Sequence, residues 1–265
     1  MSLVAAIAER SVVAFGLLLF LFQMLAHEVG YRLGRRDNKR SGGNPETVGV
    51  VVGGMLALLA FVLALTLSFS NTRFGELRRG SLAETNAIST AWLRAKAIGD
   101  ERAETIADLL VEYTQVRADF THAGRDKAAI DALNLRTAEL QSEIWGNLSD
   151  IVRERPDPVS ASLMAALNET FDMSAAERFA FELALPTQLF WLLIGMSLVG
   201  VASLGYQFGL KDKTPKLLVA LFVVMLTSVI VVILDLASAR LGNFRVAAPV
   251  YEQTLEGFRS GAPLP

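Results

Sequence analysis

An uncharged apolar run occupies residues 48–69, and it passes without a proline into polar sequence that still reads as helix. The hydrocarbon core of a bilayer is about 30 Å thick and takes roughly 20 apolar residues per helix. The run is long enough to cross it. After Phe69 come Ser70-Asn71-Thr72-Arg73, a basic pair at Arg78-Arg79, and Ser81-Leu82-Ala83-Glu84-Thr85-Asn86-Ala87-Ile88. A membrane helix is therefore predicted to lead directly into a helical region outside the hydrocarbon. The rest of the chain must either pack on this element or return to the membrane.

Three further runs, 11–29, 186–208 and 217–236, are long and apolar enough to span. With 52% hydrophobic residues and a mean hydropathy of +0.40, the chain is too apolar for an ordinary soluble protein. The expectation is an all-α integral membrane protein with four transmembrane helices in a two-plus-two arrangement and a helical soluble domain between spans two and three. The predicted parts are 11–72 for the first two spans, 73–185 for the soluble domain, 186–246 for the last two spans and 247–265 for a C-terminal tail. The first run reads as a retained helix rather than a signal peptide, because a basic segment and no small-residue cleavage pattern follows it.

Net charge is −2 and cysteine is absent. The middle region is acidic, which argues against nucleic acid as a partner. With no thiol and only His27 and His122, no metal or other cofactor is expected. Arg32, Arg35, Arg36, Lys39 and Arg40 follow span one, and Lys211, Lys213 and Lys216 lie between spans three and four. Alternating spans put both basic loops on one side, and the positive-inside rule makes that side cytoplasmic and the soluble domain extracytoplasmic. Arg73, Arg78 and Arg79 pull the other way.

Apolar stripes with a period near 3.6 predict helices over 102–120 and 126–152. Arg155-Pro156-Asp157-Pro158 breaks the pattern, and helices over 159–171 and 174–185 are expected after it. Ser81 with Glu84, and Ser174 with Glu177, each fit the capping box that opens a helix. In span two, Gly49 and Gly53 sit four apart, the spacing that lets membrane helices approach closely. Span three carries Gly195, Ser197, Gly200, Ala202, Ser203 and Gly205, which suggests a helix packed by protein.

No catalytic motif stands out, neither G-x-S-x-G, H-E-x-x-H nor a phosphate loop, and no enzymatic activity is expected. Thr66, Ser70 and Arg73 lie at i, i+4 and i+7 on span two, with Phe61 and Phe69 near that face. In an oligomer this face would form a pore mouth, and an arginine ring there favours anions. The alternative is that Thr66 and Ser70 satisfy backbone carbonyls while Arg73 anchors at headgroups. Asp235, at the end of span four, is either a gating carboxylate or half of a structural ion pair with a nearby arginine. Glu84 reads as a helix cap or as a supporting residue.

Phe69-Ser70, Arg73, Arg78-Arg79, Glu84, Asn86-Ala87-Ile88 and Trp92-Leu93-Arg94 together resemble the first motif block of the bestrophin-like family of unknown function. Leu234-Asp235, Gly242, Phe244-Arg245-Val246 and Pro249 are similar to its second block. Thr85 replaces the usual alanine, and the proline usual after the aspartate is missing at Leu236-Ala237-Ser238. The resemblance implies kinship with pentameric anion channels, in which the helical domain and both termini are cytoplasmic. That topology is opposite to the one given by the positive-inside rule. The resulting expectation is an oligomeric ion channel in a bacterial inner (plasma) membrane, passing inorganic ions with anions favoured. Phe61, Thr66, Phe69, Ser70 and Arg73 would line the pore, and Arg78, Arg79, Glu84, Asn86, Asp235 and Arg245 would support or gate it. The competing class is a non-conducting homo-oligomeric scaffold or sensor whose soluble domain binds a protein, a lipid or an envelope component.

Overall fold

The structure, a computed structural model, describes residues 12–41, 44–124, 126–182, 187–213, 215–238 and 248–261. Among them all regular structure is α-helical: α1 (Val12–Ser41), α2 (Pro45–Ile98), α3 (Glu101–His122), α4 (Lys127–Glu154), α5 (Pro158–Glu182), α6 (Thr187–Leu210), α7 (Lys216–Ser238) and α8 (Ala248–Ser260). The chain divides into two compact units. One comprises residues 1–73 and 184–243, and the other 74–183 and 244–265. Helix α2 runs through the boundary as one helix of 54 residues.

The first unit holds four helices long and apolar enough to cross a membrane: Val13–Arg40, the apolar part of Pro45–Ile98, Gln188–Leu210 and Lys216–Ala237. Its core is built from Phe15, Leu19, Leu59, Leu63, Leu193, Val201, Val223, Ile230 and Ile233. Helices α1 and α6 run parallel and almost touch. A Cβ added at Gly30 would lie 1.9 Å from the carbonyl oxygen of Ala202, and one at Gly34 would lie 2.1 Å from that of Tyr206. The relation is reciprocal, because Gly205 faces the His27 carbonyl at 2.1 Å and Gly209 the Tyr31 carbonyl at 2.2 Å. Two G-x-x-x-G faces thus mesh, and only hydrogen in place of a side chain allows the backbones this close. Gly49 meets only the Gln207 side chain, and Gly53 and Gly54 meet nothing within 4 Å. The close contact therefore uses Gly30 and Gly34 rather than the pair at Gly49 and Gly53.

The parallel run brings the ends of α1 and α6 together. Arg35 pairs with Asp212 at 2.9 Å, and the Tyr206 hydroxyl donates to Asp37 at 3.0 Å. The basic C-terminal end of α1 and the basic segment that follows α6 thus share one end of this unit. Inside the unit, Gln23 on α1 joins three helices. Its Nε2 donates to Ser197 Oγ at 3.1 Å, and Thr227 Oγ1 donates to its Oε1 at 2.7 Å. All three side chains are buried. A polar group in a membrane interior must find its partner in the protein.

In the second unit, Asp100 caps α3 by accepting from the Ala103 amide at 2.8 Å, and Asp126 caps α4 through the amides of Ala128 and Ala129. Asp157 accepts from the amides of Val159 and Ser160, with Pro158 at the first helical position of α5. Gly99 and Gly124 take positive φ in the turns after α2 and α3, where a side chain would be strained. Helix α3 packs on α4 and α8, and α4 on α5. Arg136 bridges α4 to Glu112 on α3, and Arg102 on α3 reaches Glu154 on α4.

The helices depart from the sequence pattern in two places. Helix α5 is continuous where separate helices 159–171 and 174–185 were expected. The segment expected as a tail instead carries α8, which docks Tyr251, Leu255 and Phe258 into the second unit.

Candidate functional site

Span two and its exit carry most of the residues singled out in the sequence. Phe61 and Phe69 are 60% and 55% exposed. Thr66 and Ser70 are buried, so they turn away from the face that holds the two phenylalanines. Thr66 donates its hydroxyl to the Val62 carbonyl at 2.8 Å, the backbone-satisfying role that was its alternative reading. Arg73 is half-buried, Arg78, Arg79 and Asn86 are exposed, and Asp235 is buried near the end of α7. Arg245 lies outside the described residues.

Glu84 belongs to a different constellation. It does not cap a helix: Ser81 and Glu84 sit in the middle of α2, and Ser174 and Glu177 in the middle of α5. A Ser-x-x-Glu spacing puts both side chains on one helix face wherever it falls. Here both faces point inward. Arg117 on α3 lies between the two glutamates. Its Nε donates to Glu84 Oε1 at 2.6 Å, and its Nη2 to Glu177 Oε2 at 2.7 Å and to Glu84 Oε2 at 3.1 Å. The Tyr251 hydroxyl of α8 sits 2.6 Å from Glu84 Oε2 and 2.8 Å from Glu177 Oε2. Ser81 Oγ meets Glu177 Oε1. The guanidinium also lies over the Phe120 ring, 4.6 Å from its centre. Arg117, Glu84 and Glu177 are each at most 2% exposed.

Four helices thus converge on a dry polar centre whose charges need reckoning. Burial opposes ionisation of Glu84, but the Arg117 guanidinium and its hydrogen bonds overcome this and hold the carboxyl below its usual range. Glu177 goes the other way. Burial and the neighbouring Glu84 push it up to about 8. Burial likewise raises Tyr251, and pushes Tyr113 up to about 12. One arginine therefore neutralises one carboxylate, and the second carboxyl stays protonated at neutral pH.

Reasoning from sequence did not find Arg117 or Tyr251. A signal for Arg117 existed, since Leu110, Tyr113, Arg117 and Phe120 follow i, i+3, i+7 and i+10 on the buried face of α3. A cation in an apolar stripe calls for a buried carboxylate. Tyr251 gave no such signal.

A bacterial bestrophin homologue from Klebsiella pneumoniae, known from a crystal structure, superimposes with a TM-score of 0.64 at 15% identity, covering 93% of this chain and 97% of that one. At that identity the likeness is one of fold. No curated protein matches the chain. The bestrophin-like domain matches residues 17–249, which take in most of the first span and the whole of the other three, the polar centre's Glu84, Arg117 and Glu177, and the start of α8, so the chain is a membrane protein that belongs to the bestrophin-like family.

Proposed function

We propose that the chain is the subunit of an oligomeric ion channel, with α2 at the shared axis. The observation that carries this is how little of α2 its own chain covers. Within the apolar window of each span, 17% is buried for α2, against 28% for α1 and 33% for each of α6 and α7. The bare face carries Gly54, Leu58, Phe61, Leu65 and Phe69 at helical spacing. Glycines that meet nothing in their own chain leave room for another copy. On this reading Phe61 and Phe69 form apolar constrictions in the pore. Thr66 and Ser70 support the wall from behind. Arg73 at the exit supplies the anion preference, with Arg78 and Arg79 beyond it. The basic ends of α1 and α6 face the cytoplasm by the positive-inside rule.

The same face favours a second reading. Phe61, Leu65 and Phe69 make an oily seam, which suits a closed, non-conducting scaffold as well as a gate. Ion flux from the purified protein in liposomes, paired with its mass in detergent, separates the two. A channel gives flux from a defined oligomer, and Phe61→Ala or Phe69→Ala raises it. Arg73→Glu shifts selectivity toward cations. A silent oligomer whose Phe61→Ala and Phe69→Ala variants stay silent supports the scaffold. A monomer refutes both the axis and the arginine ring.

A further inference from the structure

The polar centre of the second unit has a property that conduction does not require. We propose that Glu84 and Glu177, bridged by Arg117 and Tyr251, form a binding site for a single proton, and that this proton holds α8 against its unit.

Proton counting carries the first half. The Tyr251 hydroxyl makes two short oxygen–oxygen contacts, to Glu84 Oε2 and to Glu177 Oε2. A phenol has one proton and fills one of them. The other contact is repulsive unless a carboxyl brings a second proton. The second proton therefore belongs on Glu177 Oε2, donated to the phenol oxygen while the phenol donates to Glu84 Oε2, and Ser81 Oγ donates to Glu177 Oε1. Charge gives the same answer. Two ionised carboxylates against one guanidinium would leave a net negative charge in a site with almost no solvent. Among the described residues, Arg117 is the cation that acts on both carboxyls. The elements contributing to the centre are α2 with Ser81 and Glu84, α3 with Tyr113 and Arg117, α5 with Ser174 and Glu177, and α8 with Tyr251. From α4, Gln141 reaches only the Tyr113 hydroxyl, at 3.3 Å.

The second half follows from where Tyr251 sits. Helix α8 has 13 residues, and the phenol is its polar anchor in the centre, beside the stack of Phe258 on Trp92 at 4.9 Å. When Glu177 gives its proton to water, the carboxylate left behind faces Glu84, and one of the two Tyr251 contacts loses its hydrogen. Both changes loosen the site on the side that α8 closes.

The docked state holds the proton up to about pH 8, whereas an opened site exposes Glu177 to water and returns it to its ordinary value of 4.5. The contribution of Glu177 to docking is therefore full below that lower value and is lost as pH rises toward 8. Between the two values each opening releases one proton, so the opening constant rises roughly tenfold per pH unit.

Hydrogen exchange of the full chain in nanodiscs tests this, with rates corrected for the intrinsic pH dependence of exchange. Backbone amides of residues 248–260 are followed from about pH 5.5 to about pH 7.5, inside the window set by Glu177. We expect a rise in opening of roughly a hundredfold over those two units. Glu177→Gln keeps the shape and polarity of the protonated acid, so its opening should not vary with pH. A wild-type opening constant that does not vary with pH overturns the proposal, as does a Glu177→Gln slope equal to the wild type's. The wild-type slope decides by itself if the variant fails to assemble.

Discussion

Replacing Gly30 with alanine tests the closest contact in the membrane unit. The new Cβ would lie 1.9 Å from the carbonyl oxygen of Ala202, whereas real Cβ atoms essentially never come within 3.0 Å of another heavy atom. The two helices must therefore part by about 1.1 Å at that point, because both obstructing groups are backbone. Parting them opens the neighbouring contacts of Gly34, Gly205 and Gly209 as well, since all four lie along one parallel interface. Overpacking of this kind costs about 1–3 kcal/mol, and a clash between two backbones belongs at the upper end. For a chain of this size about 3 kcal/mol lowers Tm by about 6–12 °C. Thermal melts in detergent followed by fluorescence-detected size exclusion measure it. Gly146→Ala on α4 is the control, because its Cβ meets nothing within 4 Å and helix propensity then favours alanine by up to about 1 kcal/mol. An unchanged Tm for Gly30→Ala, or a loss as large for Gly146→Ala, would refute the reasoning.

Arg117→Met leaves Glu84 buried without its counter-ion and should destabilise the second unit by about 3–5 kcal/mol, with Glu84→Gln in the same chain recovering part of the loss; chemical denaturation reports both. Gln23→Leu removes the shared partner of Ser197 and Thr227 and should cost about 1–2 kcal/mol in the same thermal assay, while loss below the noise would mean that the Thr227 hydroxyl turns back to its own helix, where Ser197 already donates to the Ile194 carbonyl. The second unit should also show a stability maximum in mildly acidic solution. Glu84, held low when folded, loses its contribution as pH falls through its folded value, and Glu177, held high, loses its contribution as pH rises toward about 8. Denaturation midpoints measured across that range check the two slopes, and a profile rising steadily from pH 5 to pH 8 would contradict the assignment of Glu177.

The four spans were legible because apolar length is a property of the chain alone, and α3 and α4 because their stripes repeat near 3.6. What was misread depends on the neighbour rather than on the pattern. Ser-x-x-Glu at Ser81 and at Ser174 satisfies the spacing of a capping box, yet the same spacing serves two inward faces that share Arg117. With no proline or glycine near Ser174, nothing local stopped α5. Gly49 and Gly53 match the close-packing spacing as well as Gly30 and Gly34 do. Only the partner's own glycines, Gly205 and Gly209, decide which pair is used. Thr66 and Ser70 share a helix face with Arg73, but one sequence does not say whether that face turns toward its own bundle or toward another copy. The structure turns Thr66 and Ser70 inward.

The hydrogen bonds of Gln23 also impose an order in time. Its partners, Ser197 and Thr227, come 174 and 204 residues later in the chain. At about 5–20 residues per second, a ribosome needs about 9–35 s to reach the first of them. Throughout that interval neither native partner of the Gln23 amide has been made, while the intervening helices are. A purely apolar early partner of α1 would leave the carboxamide unsatisfied, and both of its ends are bonded only after α6 and then α7 have been made.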